Sequence, residues 1–146
     1  MQTEDAATSR RPAANLGDLE TPLVLVVEPD AALRQKISTE LRRDGNEVLE
    51  LSDGAALVAY FEARASGPGV VPDVIVAEVA RPDAGVLAAC ERVQGLGSRV
   101  PVVLLSNRRE AILDDVYERA GVAFFFHWPL DLSRVRSAVS SLAWRA

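Results

Sequence analysis

Five short apolar runs, each followed by a segment with helical periodicity, constrain this chain more than any other feature. The runs are Leu23–Val27 (LVLVV), Glu47–Leu51 (EVLEL), Val74–Ala77 (VIVA), Val100–Leu105 (VPVVLL) and Val122–Phe126 (VAFFF). The first, third and fourth are almost continuously apolar, as strands covered on both faces must be. The second alternates, which suits an edge strand with one wetter face. Apolar stripes at helical spacing follow: Leu33, Ile37 and Leu41; Leu57 and Phe61 with Val58 beside them; Val86, Cys90 and Val93; Ile112, Val116 and Ala120; and Leu132, Val135, Val139 and Leu142.

Local punctuation agrees with this parsing. Asp30 stands where it can cap the first helix, and Asp53-Gly54 and Pro82-Asp83 are turn signals. Gly45 and Gly121 follow the first and fourth helices in the position of C-terminal caps. Gly67-Pro68-Gly69 breaks the chain before the third strand. The order is (βα)5, and such alternation builds a doubly wound parallel sheet with helices on both faces, because the crossovers are right-handed. In such a sheet the functional site lies at the carboxyl ends of the strands. Four stretches fall there: Glu28-Pro29-Asp30, Glu78-Val79-Ala80, Ser106-Asn107 and His127-Trp128-Pro129.

The length of 146 residues allows one ordinary domain with a real core. The opening MQTEDAATSRRPAANLGDLE is polar, mixed in charge and poor in large hydrophobes. Residues 1–21 are therefore expected to be a flexible polar tail and 22–146 the domain. No apolar run approaches the roughly 20 residues a membrane helix needs. The single cysteine, Cys90, excludes an internal disulfide, and with no signal-peptide pattern the expected location is the cytoplasm. A net charge of −5 disfavours a nucleic-acid partner.

The strand-end stretches, taken together, resemble the receiver domain of bacterial two-component response regulators, from about Leu23 to Ala143. VLVVEPD is similar to that family's first strand ending in an acidic pair. VIVAEVARPDAG resembles its third strand with the phospho-acceptor and the following loop. VPVVLLSN resembles the fourth strand ending in Thr or Ser, and GVAFFFHWPL the fifth strand ending in Lys-Pro. The resemblance implies the flavodoxin-like receiver fold with strand order 2-1-3-4-5. It also implies a site in which an aspartate takes a phosphoryl group, an acidic pair holds Mg²⁺ and a lysine stabilises the phosphoryl oxygens.

Three of the four charged positions of that site are altered in chemistry or reach here, and the fourth, Glu28, is an acid that some family members use. The phospho-acceptor position holds Glu78, one methylene longer than aspartate. That reach of order 1 Å spoils in-line attack on a held donor. The acidic pair matches Glu28 and Pro29, so one metal ligand has no carboxylate. The lysine position holds Trp128, a neutral ring, before Pro129, and the Trp128-Pro129 bond is expected to be cis as in the family. Ser106 matches the switch hydroxyl, and Phe125 the switch aromatic without its phenol oxygen. Conventional phosphotransfer is not expected, and no cofactor is.

Glu78 reads either as a drifted residue in a dead site, hydrogen-bonded locally to Ser106 if to anything, or as a standing mimic of the phosphorylated state. The dead site is preferred, because a carboxylate lacks the phosphoryl group's charge and its third oxygen. No metal is expected. The weak alternative is a cation held by Glu28, Asp30 and Glu78, against which Asp30 is well explained as a cap. His127 has no second histidine or cysteine near it and reads as structural. Cys90 lies on an apolar stripe and reads as a buried, inert thiol. Trp128 is expected to plug the space of the lost lysine and phosphate, leaving an apolar closed pocket.

In the family, partners dock on the fourth helix, fifth strand and fifth helix. The candidates here are Arg108, Asp114, Asp115, Arg134 and Arg136, with Trp144 as an anchor if exposed. The preferred reading is a stand-alone pseudo-receiver, not an enzyme, that acts by binding another signalling protein or itself. No output domain is expected after the fifth helix. One alternative is a receiver still phosphorylated at Glu78 with weak Mg²⁺ binding. Another is a flavodoxin-like small-molecule binder, disfavoured because VVEPDAALR carries no glycine-rich phosphate loop.

Overall fold

The structure is a computed structural model that describes residues 21–65, 71–79, 85–106 and 114–144. Five strands, β1 (Leu23–Val27), β2 (Glu47–Leu51), β3 (Val74–Val79), β4 (Val102–Ser106) and β5 (Val122–His127), alternate with five helices. These are α1 (Ala31–Arg43), α2 (Gly54–Ala65), α3 (Gly85–Gly95), α4 (Asp114–Ala120) and α5 (Leu132–Ala143). The sheet is wholly parallel in the order β2-β1-β3-β4-β5. All three inner strands are buried almost throughout, which explains their unbroken apolar sequences. The alternating run, β2, is an edge strand, as its pattern predicts.

Strand alternation divides the core into two layers. Leu25 and Val27, Ile75, Ala77 and Val79, and Val102 and Leu104 face α2, α3 and α4. Val24 and Val26, Val74 and Val76, and Val103 and Leu105 face α1 and α5. The helical stripes fill the two layers. Ile37, Leu41, Val135 and Val139 lie under one face, and Leu57, Leu87, Cys90 and Val93 under the other.

The Asp30 carboxylate accepts hydrogen bonds from the backbone N–H groups of Ala32 and Leu33, which confirms it as the α1 cap. Gly45 ends α1 with φ +94°, the left-handed conformation that the cap position requires. Asp53-Gly54 is a helix start. Gly54 opens α2, and the Asp53 carboxylate accepts from Ala56 N–H at 2.8 Å. Strand limits also differ from the sequence reading at their ends. β3, β4 and β5 run on to Val79, Ser106 and His127, so the polar residues at the site belong to the strands themselves. β4 begins at Val102, because Pro101 has no N–H to pair and Val100 N–H is taken by Ser98 Oγ at 3.1 Å. Residues 1–20 of the tail, Gly67-Pro68-Gly69, Pro82-Asp83 and Ile112 lie outside the described residues.

Candidate functional site

The register of the two central strands builds the site. Val26 pairs with Val76 and Val27 with Ala77. One step further, Glu28 and Glu78 leave adjacent strands on the same face, that of α1 and α5. Both are buried, Glu28 with 1% of its surface exposed and Glu78 with 6%. Two carboxyl groups cannot both ionise comfortably in so dry a space. Glu28 carries the consequence. Burial, and then its hydrogen bond with Glu78, push its carboxyl up to about 8, while the Asp30 backbone N–H, donated to Oε2 at 2.9 Å, opposes the rise. Among the described residues no donor reaches the buried Oε1. A Glu28 that keeps its proton can share it with Glu78 beside it.

Trp128 completes the cluster from the far end of β5. Its backbone N–H donates to the Ser106 carbonyl at 3.0 Å, continuing the ladder past the strand. Its indole Nε1–H donates to Glu78 Oε2 at 2.9 Å. The Trp128-Pro129 peptide is cis, as expected. Trp128 is half-buried, and its inner edge is a polar contact with Glu78 rather than an apolar wall. Ser106 is buried opposite Val79. Phe125 packs inward beside Tyr117, with ring centroids 5.3 Å apart, and meets the edge of the His127 ring at 4.4 Å. His127 is exposed at the strand end. The Cys90 thiol is fully buried, and that burial pushes it up to about 12, so it is inert.

A divalent cation of the kind receivers use does not fit the donors described here. Mg²⁺ requires near-octahedral oxygen ligands. Pro29 supplies none. Asp30 turns its carboxylate to the α1 N-terminus, Glu28 Oε2 already accepts from Asp30 N–H, and Glu78 Oε2 from the indole. Among the described residues no three His, Cys, Asp or Glu side chains are grouped to hold a metal.

One contributor escaped the sequence reading. Arg34 Nη1 donates to the Glu28 carbonyl at 2.7 Å, and its Nε lies 3.4 Å from Glu50 Oε1. The guanidinium ties the end of β1 to β2 beneath the site. The signal was an arginine six residues after Glu28, on the first helix beside an alternating acidic strand.

The interface candidates scatter. Arg136 is turned to α1, where it grips Asp44 through two bonds of 3.0 and 2.7 Å and approaches Glu40 at 3.4 Å. The Arg136 guanidinium holds the Asp44 carboxyl below its usual range. Arg136 therefore belongs to the α1–α5 face and is not free for the α4–β5–α5 surface. Arg134 is exposed, and Trp144 is 46% exposed with its ring over Gly45 at the end of α1. Arg108 and the side chains of Asp114 and Asp115 lie outside the described residues. Phe124, not singled out from sequence, is 38% exposed on β5 and stacks on Phe126 at 6.4 Å.

The architecture is that of response-regulator receiver domains. The receiver domain of Francisella response regulator 1452 superposes with a TM-score of 0.71 at 20% identity, over 86% of this chain and 98% of that one. Vibrio cholerae chemotaxis protein CheY4 gives 0.69 at 19%, over 84% and 99%. FixJ-N gives 0.70 at 16%, over 88% and 98%. In sequence the chain is 30% identical over 88 residues to the alkaline phosphatase synthesis transcriptional regulatory protein SphR of Synechococcus elongatus. That match takes in 58% of this chain and 34% of the relative, so the chain spans about a third of that protein's length. No protein-family model matches. No helix among the described residues is long and apolar enough to cross a membrane.

Proposed function

We propose that this chain is a receiver-type module of two-component signalling that works by protein–protein contact, without aspartyl phosphorylation and without enzymatic activity of its own. The observation that carries this reading is the closed state of the acceptor position. Glu78 is held by the Trp128 indole at 2.9 Å and hydrogen-bonded to Glu28, so the carboxyl that would attack a donor is already engaged on two sides. Pro29 and Trp128 bring neither the ligand nor the charge that phosphoryl transfer draws on. The likeness to SphR supports a place in a signalling pathway, and the absence of a membrane-length helix among the described residues is compatible with a cytoplasmic one. The surface proposed for the partner is α4, β5 and α5, where Phe124 on β5 offers exposed aromatic area and Arg134 on α5 an exposed charge.

The test is incubation with acetyl phosphate or beryllofluoride and Mg²⁺, read by intact mass and thermal melting. The expected result is no covalent adduct and an unchanged melt. A Mg²⁺-dependent phosphoryl adduct on Glu78 would overturn the reading.

A further inference from the structure

Among the described residues no strand pairs with the outer edge of β2, which lies at the opposite border of the sheet from β5. In the β1–β2 ladder, Glu47 N–H donates to the Pro22 carbonyl at 2.8 Å, and the Leu51 carbonyl accepts from Glu28 N–H at 2.9 Å. Glu47, Leu49 and Leu51 therefore turn their backbone groups to β1, and alternation directs those of Val48 and Glu50 out of the sheet. Leu49 is 37% exposed on this edge. A groove of about 600 Å³ wraps it, lined by Leu23, Val48, Leu49, Tyr60, Arg42 and Arg64 among others. In the isolated chain Arg42 Nη2 covers the outward Val48 carbonyl at 3.1 Å and pairs with Glu50 Oε2 at 3.2 Å.

We propose that β2 pairs antiparallel with β2 of a second copy of this chain, about a two-fold axis passing beside Leu49. The segment EVLEL is self-complementary in this register. Val48 of one copy faces Glu50 of the other, and these are the residues with outward N–H and C=O groups, so both hydrogen-bonded pairs close. On the α2 face the two Leu49 side chains meet on the axis and cover each other's exposed surface. On the α1 face Glu50 of each copy arrives beside Val48 of the other, where Arg42 stands. Arg42 gives up its own Val48 carbonyl and takes the facing carboxylate, while its own Glu50 keeps Arg34 at 3.4 Å. This opposite charge across the seam is what fits a second copy better than an unrelated strand. A five-residue strand pair is a small interface, so the association is weak and depends on concentration.

Sedimentation equilibrium over about a hundredfold range of concentration tests this, because mass action fills a weak dimer across such a range. The wild-type mass is expected to rise from one protomer toward two. L49K alters only an exposed position, should keep the wild-type melt, and should stay at one protomer because like charges then meet on the axis. L49C should give a disulfide-linked dimer on mild oxidation, since directly opposite β-carbons lie about 4.5–5.5 Å apart. Cys90 is buried and does not compete. A wild-type mass fixed at one protomer throughout overturns the proposal. So does association that survives L49K with no L49C cross-link, which would place the contact on another face such as β5.

Discussion

Glu28 and Glu78 are buried on adjacent strand ends, and their closeness makes the charge of Glu28 costly. A glutamate in the unfolded chain titrates near 4.5, whereas folded Glu28 holds its proton up to about 8. Between those values the unfolded state gives up a proton that the folded state keeps. The stabilising contribution is therefore complete below 4.5 and is lost as pH rises toward 8. E28Q, which keeps the shape and the neutral charge, should flatten this part of the pH–stability curve and be more stable than wild type at pH 8; thermal melts of both proteins at a series of pH values check it. Trp128 acts on the other carboxyl. W128F removes the indole N–H from buried Glu78 and should cost roughly 1–3 kcal/mol, the usual penalty for a buried acceptor left without its donor. Urea denaturation measures that loss. Glu28, Glu78 and Trp128 were legible from the sequence as strand-end residues. Their mutual bonds were not, because an indole N–H reaching a carboxyl 50 residues earlier depends on how β3 and β5 are placed across β4.

At the scale of elements, turns and caps set the register on which the site depends. Gly121 links α4 to β5 with φ +78°, and its carbonyl accepts Val102 N–H at 2.9 Å to start the β4–β5 ladder. A β-carbon there would press on the Gln94 side chain, whose Nε2 holds the Val100 carbonyl at 3.0 Å. G121A should therefore lower stability by roughly 1–3 kcal/mol, the cost of a non-glycine residue in the left-handed region. A lower urea midpoint with an unchanged slope is the expected readout. Ala123 is an extra residue in this ladder, since Val102 pairs with Val122 but Val103 with Phe124. The sequence VAFFF carries no mark of that bulge. It becomes visible only against the partner strand, which also explains why Phe124 comes to be exposed on an edge.

Across the whole molecule, burial falls from the middle of the sheet to its borders. β1, β3 and β4 lie between two helical layers, while β2 and β5 each have one open side. Amide hydrogen exchange should follow this order, slowest in β3 and its two neighbours and faster by orders of magnitude at the outward amides of β2, because local opening costs least where few buried contacts must break. Equal protection across all five strands would contradict it. α5 is clamped to the end of α1 by the grip of Arg136 on Asp44, two residues 92 apart in sequence.

Hydrophobic period and strand-end chemistry were properties of the sequence alone. Both are local, so they determined the five strands, the helical stripes, the parallel sheet, the cap at Asp30 and the polar residues at the strand ends. Tertiary structure decided what those positions do to one another. It placed Glu28 opposite Glu78 on one face, turned the Trp128 indole onto the pair, drew Arg34 beneath it and took Arg136 away to α1. These outcomes rest on register and on long side chains that choose among distant partners. Binding free energy of that kind depends on distance and burial, which a linear order of residues does not contain.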